Sequence, residues 1–336
     1  MMVGLISKMP KDLFDVVVIT TPVQNDPIAR IIEEAADEIR YLSEDLFKAQ
    51  QEIGLLELDV LLYAEIGMDV RTYFLAFARL APVQCVTWGH PDTTGIPNLD
   101  TFLSSSLIEP LDAEEHYSER LHRFSMLPTY YLRHKIPERL KSRADFGFDE
   151  KQRIYFCPQS AIKFHPDVDD LFAQILREDE ESKILLLEGA VANWSDQIRQ
   201  RWRRTMGDLE ARVVFLPRQT PEDFLALQAI ADVILDTPHF SGGNTTFEAF
   251  TLGKPVVTLD SAFMRGRVSA GMYRTMEMED CIAQSLNEYR QIALKLGTDP
   301  EYRQEIETQI KERNEALFER HEILEEFVDY ITAVTT

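Results

Sequence analysis

Apolar residues in this chain fall into short runs separated by amphipathic stretches, along nearly its whole length. Runs rich in Val, Ile and Leu predict strands at 15–20 (DVVVIT), 59–64 (DVLLYA), 84–88 (QCVTW) and 100–104 (DTFLS). A second series predicts strands at 153–157 (RIYFC), 183–187 (KILLL), 212–216 (RVVFL), 233–236 (VILD) and 255–259 (PVVTL). Helix-length segments lie between them at 27–39, 71–80, 167–176, 195–206, 221–230 and 245–252. A strand that is apolar at nearly every position is buried on both faces, which requires a parallel sheet covered by helices. Repeated strand–helix units of this kind build doubly wound α/β domains.

The two strand series are separated by a charged stretch without strand periodicity, YLRHKIPERLKSRADFGFDE, at 131–150. The expected organisation is a Rossmann-like domain at 1–145, a second at 146–300 and a helical segment at 301–336. In that last segment Ile306, Ile310, Leu317, Ile323, Leu324 and Phe327 recur at helical spacing. The heptads do not persist, so it reads as solvated amphipathic helix rather than coiled coil. There is no internal repeat, in particular no 34-residue helical period.

Composition narrows the function classes. The 336 residues include 35 basic and 57 acidic side chains, for a net charge of −22, with 45% hydrophobic and 27% charged residues. That balance belongs to a folded chain. Its charge argues against non-specific partnership with nucleic acid or an anionic membrane, although a local basic pocket for a small anion is compatible with it. Cys85, Cys157 and Cys281 have no metal-ligand spacing, and Cys85 and Cys157, inside apolar strand-like runs, read as core residues in a reducing compartment. No apolar run reaches membrane-spanning length and no secretory leader pattern opens the chain, so a cytoplasmic location is expected.

Two Rossmann-like domains suggest a ligand at the C-terminal strand edges, in a cleft between them. After the strand at 233–236, Ser241, Gly242 and Gly243 lead into Asn244, Thr245 and Thr246 at a helix start. Glycines allow close backbone approach, and free N–H groups at a helix start bind phosphate; an ordinary capped helix after a glycine loop is the other reading. Glu248, one turn in, is placed to accept from a ribose hydroxyl. Asp236, closing the strand, joins this candidate donor-binding set. Lys163 follows the strand at 153–157, where it would either stabilise a departing diphosphate or be a solvated loop lysine. In the loop WGHPDTTGIP, Thr93 and Thr94 are placed to line the acceptor side, and His90 is a candidate general base or a structural histidine. His165 and His239 have no partner at metal-ligand spacing, and no metal site is expected. Arg265 and Arg267 would add positive charge near an anionic ligand or form a surface pair.

The chain resembles the catalytic region of the O-linked N-acetylglucosamine transferase/SPINDLY family. The phrases that carry the resemblance are APVQCVTWGHPDTTGIPNLDTFLSS with EHYSERLHRF, IYFCPQSAIKFHPD, RVVFLPRQTPEDF, ADVILDTPHFSGGNTTFEAFTLGKPVVTL and EYRQIALKLGTDPEYR, in family order from about 55 to 303. The resemblance implies the GT-B architecture of two Rossmann-like domains, with an inverting, metal-independent transfer from a UDP-sugar to a protein or glycan. The donor is a co-substrate, and no cofactor is expected. The resemblance also makes Lys163 the lysine on the donor diphosphate and puts Gly243, Asn244 and Thr245 at the phosphate-binding helix start, with Asn-Thr-Thr where well-known members carry His-Thr-Thr. Glu248 becomes the acid on the ribose, Arg218 opens the loop that holds the base, and Phe224 falls where a ring stacks on the nucleoside.

The family's core normally begins with a further strand and a histidine-bearing loop. This chain opens at MMVGLISKMPKDLF, so the resemblance implies a shortened N-terminal domain. A non-catalytic nucleotide-sugar-binding protein and a GT-B epimerase are the alternative readings.

Overall fold

Among the described residues of the computed structural model, 1–21, 27–189 and 191–336, every strand pairs in parallel. The strands are β1 (Val17–Thr20), β2 (Glu38–Tyr41), β3 (Val60–Tyr63), β4 (Val83–Thr87), β5 (Thr101–Ser105) and β6 (Arg120–Phe124), then β7 (Arg153–Phe156), β8 (Ser182–Leu187), β9 (Val213–Leu216), β10 (Val233–Leu235), β11 (Val256–Leu259) and β12 (Ile282–Ala283). The chain divides into two compact units, Met1–Leu132 with Phe318–Thr336, and Arg133–Leu317.

In the first unit β3, β4, β5 and β6 form one sheet in chain order, and β1 and β2 pair separately. The terminal helix Glu322–Thr335 places Ile323, Leu324, Phe327 and Tyr330 in one buried cluster with Leu5, Cys85, Leu103, Phe124 and Tyr130. The Phe124 and Phe327 rings are 4.6 Å apart, and the Tyr330 hydroxyl lies 3.1 Å from Cys85 Sγ. Each such side chain contributes about 1.5–3 kcal/mol on burial. The end of the chain is therefore part of the first unit, not the separate helical segment expected at 301–336.

The second unit holds one six-stranded sheet in the order β9-β8-β7-β10-β11-β12. Counted from β7, that is the dinucleotide-binding order 3-2-1-4-5-6, whose direction reverses between β7 and β10. Tyr155 lies opposite Val233 and Phe156 opposite Ile234, which fixes the register at the reversal. Ile154, Tyr155 and Phe156 are fully buried, as two-sided helix coverage requires.

The expected seam at 145/146 moves to 132/133, because the intervening segment is tied to the second unit. Arg143 donates to the carbonyls of Ile230 and Gln152 and to Asp232, Lys141 pairs with Asp223, and Arg133 donates to Asn314. Three strands escaped the hydrophobic pattern. The sequences of β2 (EIRY) and β6 (RLHRF) are charged and their strands lie at the ends of their sheets, and β12 has two residues. The expected helix at 27–39 ends at Ala35 for the same reason, since Glu38 and Ile39 pair with β1. By contrast, the helix Pro221–Ile230 matches its expected bounds, with Thr220 capping it and Pro221 in its first turn.

Candidate functional site

The loops after β7 and β10 leave the sheet where its strand order reverses, the place at which open α/β sheets bind ligands. Both loops carry the polar groups singled out above. Lys163 Nζ donates to Gln159 Oε1 at 2.9 Å and to the Ser241 carbonyl at 2.8 Å, with the Phe240 ring centroid 4.7 Å away. Burial pulls the ammonium below the usual lysine range, against an opposing pull from Asp236. An ammonium has three N–H donors, so one remains for a ligand.

Gln159 links the two loops. Its side-chain N–H donates to Thr245 Oγ1 at 2.9 Å, which leaves the Thr245 hydroxyl hydrogen to donate elsewhere. Gln159 is 5% exposed and was missed in the sequence, because a lone glutamine two residues past a strand carries no signal of its own. Gly242 is required by this arrangement: a Cβ there would lie 2.5 Å from Gln159 Nε2 and 2.7 Å from Thr245 Oγ1. A Cβ on Gly243 meets nothing within 4 Å, so that residue faces open space. The helix Asn244–Thr251 begins there with Gly243 at the capping position, a residue that has no side chain to cap it. A lysine N–H, a hydroxyl and an uncapped helix start thus form a site suited to an anion.

Asp236 holds the loop in this shape. It is 1% exposed and accepts from the backbone N–H of Thr237 (3.0 Å) and Gly242 (2.7 Å) and from the hydroxyls of Ser241 (2.6 Å) and Thr258 (2.9 Å). The expectation that Asp236 touches a donor is corrected by that burial and saturation. Thr246 is corrected likewise: it is 2% exposed, and its hydroxyl pairs with Ser269 Oγ at 2.9 Å. Arg267 differs from expectation too, because its guanidinium pairs with Asp260 at 2.8 Å and donates to the Ser261 carbonyl. Arg265 supports the loop through its backbone, its carbonyl accepting from Ser241 N–H at 2.7 Å.

Glu248 is half-buried, and its carboxyl group makes no hydrogen bond or ion pair among the described residues. Burial pushes its carboxyl up to about 7. Its unfolded value lies near the 4.5 of an ordinary glutamate, so the native state holds the extra proton between about 4.5 and 7 and loses stability as pH rises through that window. Glu248→Gln is therefore expected to raise the melting temperature at pH 8 and leave it unchanged at pH 4, as thermal unfolding at the two pH values will read. Phe224 packs edge-on against Phe156 at the end of β7, ring centroids 6.0 Å apart, and Arg218 is exposed in the loop after β9.

In the first unit the GHPDTTG loop is anchored by Glu119, another residue the sequence reading missed. Glu119 is 6% exposed and accepts from Thr93 Oγ1 (2.7 Å), Thr94 N–H (2.9 Å) and Thr94 Oγ1. Burial raises its carboxyl, but these hydrogen bonds outweigh it and hold the group below the usual range. Both threonine hydroxyls therefore shape the loop. His90 rests against Gly67, where an added Cβ would come within 2.6 Å of the ring, and its buried Nδ1 has no hydrogen-bond partner among the described residues. Outside both sets, His165, Asp167 and His239 come together, with ligand atoms within 4.8 Å of one another. No sequence spacing brings those three residues into one cluster.

Two all-parallel α/β units, in a fold shared with solved glycosyltransferases, place the chain in the GT-B class. The chain belongs to glycosyl transferase family 41, whose model matches residues 132–326. It is 27% identical over 228 residues to a probable UDP-N-acetylglucosamine–peptide N-acetylglucosaminyltransferase SEC of Arabidopsis thaliana, covering 65% of this chain and 23% of that protein. A similarly named SPINDLY of Oryza sativa subsp. japonica is 28% identical over 248 residues, covering 69% of this chain and 25% of that protein. The chain thus spans about a quarter of the length of these curated relatives. A point mutant of the Thermobaculum terrenum O-GlcNAc transferase shares the fold with TM-score 0.86 and 24% identity, covering 99% of this chain and 64% of that one. Anabaena HepE, solved with UDP-glucose, matches with TM-score 0.57 and 13% identity over 95% of this chain and 100% of its own.

Proposed function

We propose that this chain is an inverting, metal-independent transferase that moves GlcNAc or a hexose from a UDP-sugar to a protein or glycan acceptor in a reducing, cytoplasmic setting. The observation that carries the reading is the convergence of Lys163, Thr245 and the uncapped helix start on the reversal between β7 and β10. In this reading the acceptor attacks the anomeric carbon as the diphosphate leaves, and the free Lys163 N–H and the helix start stabilise the charge that develops on it. Glu248 accepts from the ribose, Phe224 stacks on the nucleoside, and Arg218 stands beside the base. His90 is the proposed base in the first unit. Three cysteines that are all buried and free fit the reducing setting, and among the described residues no helix is long and apolar enough to cross a membrane.

Calorimetry with UDP, followed by mass spectrometry of host proteins incubated with the chain and UDP-GlcNAc or UDP-glucose in EDTA, tests the proposal. UDP binding with HexNAc or hexose added to acceptors is the expected result. UDP binding with no transfer to any acceptor would favour a non-catalytic sugar-nucleotide binder. Ribose hydroxyls donate best to an ionised carboxylate, so UDP affinity is expected to rise from pH 6 to pH 8, across the value of about 7, and to rise less in Glu248→Gln, where the terminal phosphate of UDP still titrates.

A further inference from the structure

We propose that His165, Asp167 and His239 form a binding site for a transition-metal ion such as Zn²⁺, which clasps the loop after β10 to the loop after β7. His239 is 72 residues from Asp167, which itself lies two residues after His165, yet the ligand atoms of all three lie within 4.8 Å of one another. His239 Nε2 is 2.8 Å from Asp167 Oδ2, and His165 Nδ1 is 3.4 Å from Asp167 Oδ1. The two imidazole rings meet edge to face with centroids 4.6 Å apart. Zinc bound tetrahedrally at about 2.0–2.1 Å needs ligand atoms roughly 3.3–3.4 Å apart, so the set is close to that size before any ion enters.

Two imidazoles and one carboxylate suit Zn²⁺, Ni²⁺ or Co²⁺, while Mg²⁺ prefers oxygen ligands and water. The side chains are 40–52% exposed, so an ion has a path in and a solvent molecule can complete its shell. Small rotations turn the present contacts into coordination: the His239–Asp167 hydrogen bond is exchanged for two metal bonds, and the Asp167 N–H at 3.3 Å from His165 Nδ1 yields if that nitrogen is the ligand.

A second observation sets His239 apart. Its φ of 69° lies in the left-handed region, uncommon for a residue with a side chain, and strain of that kind gathers at ligand clamps and switches. His239 immediately precedes Phe240 and Ser241, which supply the ring and the carbonyl beside Lys163, and His165 lies two residues beyond Lys163. An ion at this point would pin both loops that carry the anion site. It would act as a structural constraint and would not take part in sugar transfer, so the inference stands whether or not the transferase reading holds.

The test is calorimetric titration of tag-free, EDTA-stripped full chain with Zn²⁺, alongside His165→Ala and His239→Asn. Asparagine tolerates the left-handed backbone, which keeps the second variant folded, and circular dichroism checks both. One zinc per chain is expected, with affinity at least tenfold weaker in each variant and no displacement by excess Mg²⁺. Zinc is also expected to raise the melting temperature of the parent chain and not of the variants. Absence of saturable binding, equal affinity in the parent and both folded variants, or displacement by Mg²⁺ would overturn the assignment.

Discussion

Lys163→Ala is expected to slow sugar transfer by about 10²–10³-fold, or ~2.7–4 kcal/mol, the scale of losing one preorganised donor to a developing negative charge. Two of its N–H groups are already held by Gln159 and the Ser241 carbonyl, so the third is aimed by a fixed scaffold rather than by a mobile surface chain. Because burial already disfavours the ammonium, a neutral residue relieves a desolvation cost, and the melting temperature should change far less than the rate. Single-turnover transfer, UDP calorimetry and thermal unfolding on the same preparation separate the effects. Turnover like that of the parent would remove Lys163 from the mechanism. Weaker UDP binding with unchanged turnover would reduce it to a binding role.

Asp236→Ala should have the opposite profile, a stability loss of about 2–6 kcal/mol with donor binding lost as a consequence. Four donors converge on this carboxylate. The Ser241 and Thr258 hydroxyls can rotate to other acceptors, but the N–H groups of Thr237 and Gly242 cannot, and each buried unsatisfied donor costs about 1–3 kcal/mol. Asp236→Asn keeps one oxygen for those two N–H groups and turns its amide towards hydroxyls that can accept, so it should recover much of the loss. Urea unfolding reads both: the alanine midpoint should drop with an unchanged slope, and the asparagine midpoint should lie nearer the parent. Equal midpoints for the parent and Asp236→Ala would mean that the loop does not depend on the carboxylate.

The sheet cores were legible because a parallel strand buried on both faces has to be apolar throughout, a property each run carries locally. Strands β2, β6 and β12 were not legible, since a charged or two-residue strand owes its existence to its neighbour. The site divides along the same line. The glycine loop, Lys163 and Glu248 were visible from their positions relative to strands and a helix start. Gln159 and Glu119 were invisible, since their importance lies in bridging residues that only folding brings near. Asp236, Thr246 and Arg267 were read as ligand contacts from their chemistry, which does not say whether another side chain has already satisfied them.

Periodicity and residues close together in the chain were enough to specify the α/β class, the alternation of strand and helix, and the loops on which an anion site would be built. Folding alone sets the strand order with its reversal between β7 and β10, the return of the terminal helix to the first unit, and the approach of His239 to His165 and Asp167. Those features depend on contacts between residues far apart in the chain, and such contacts form only when a shared core brings the segments together.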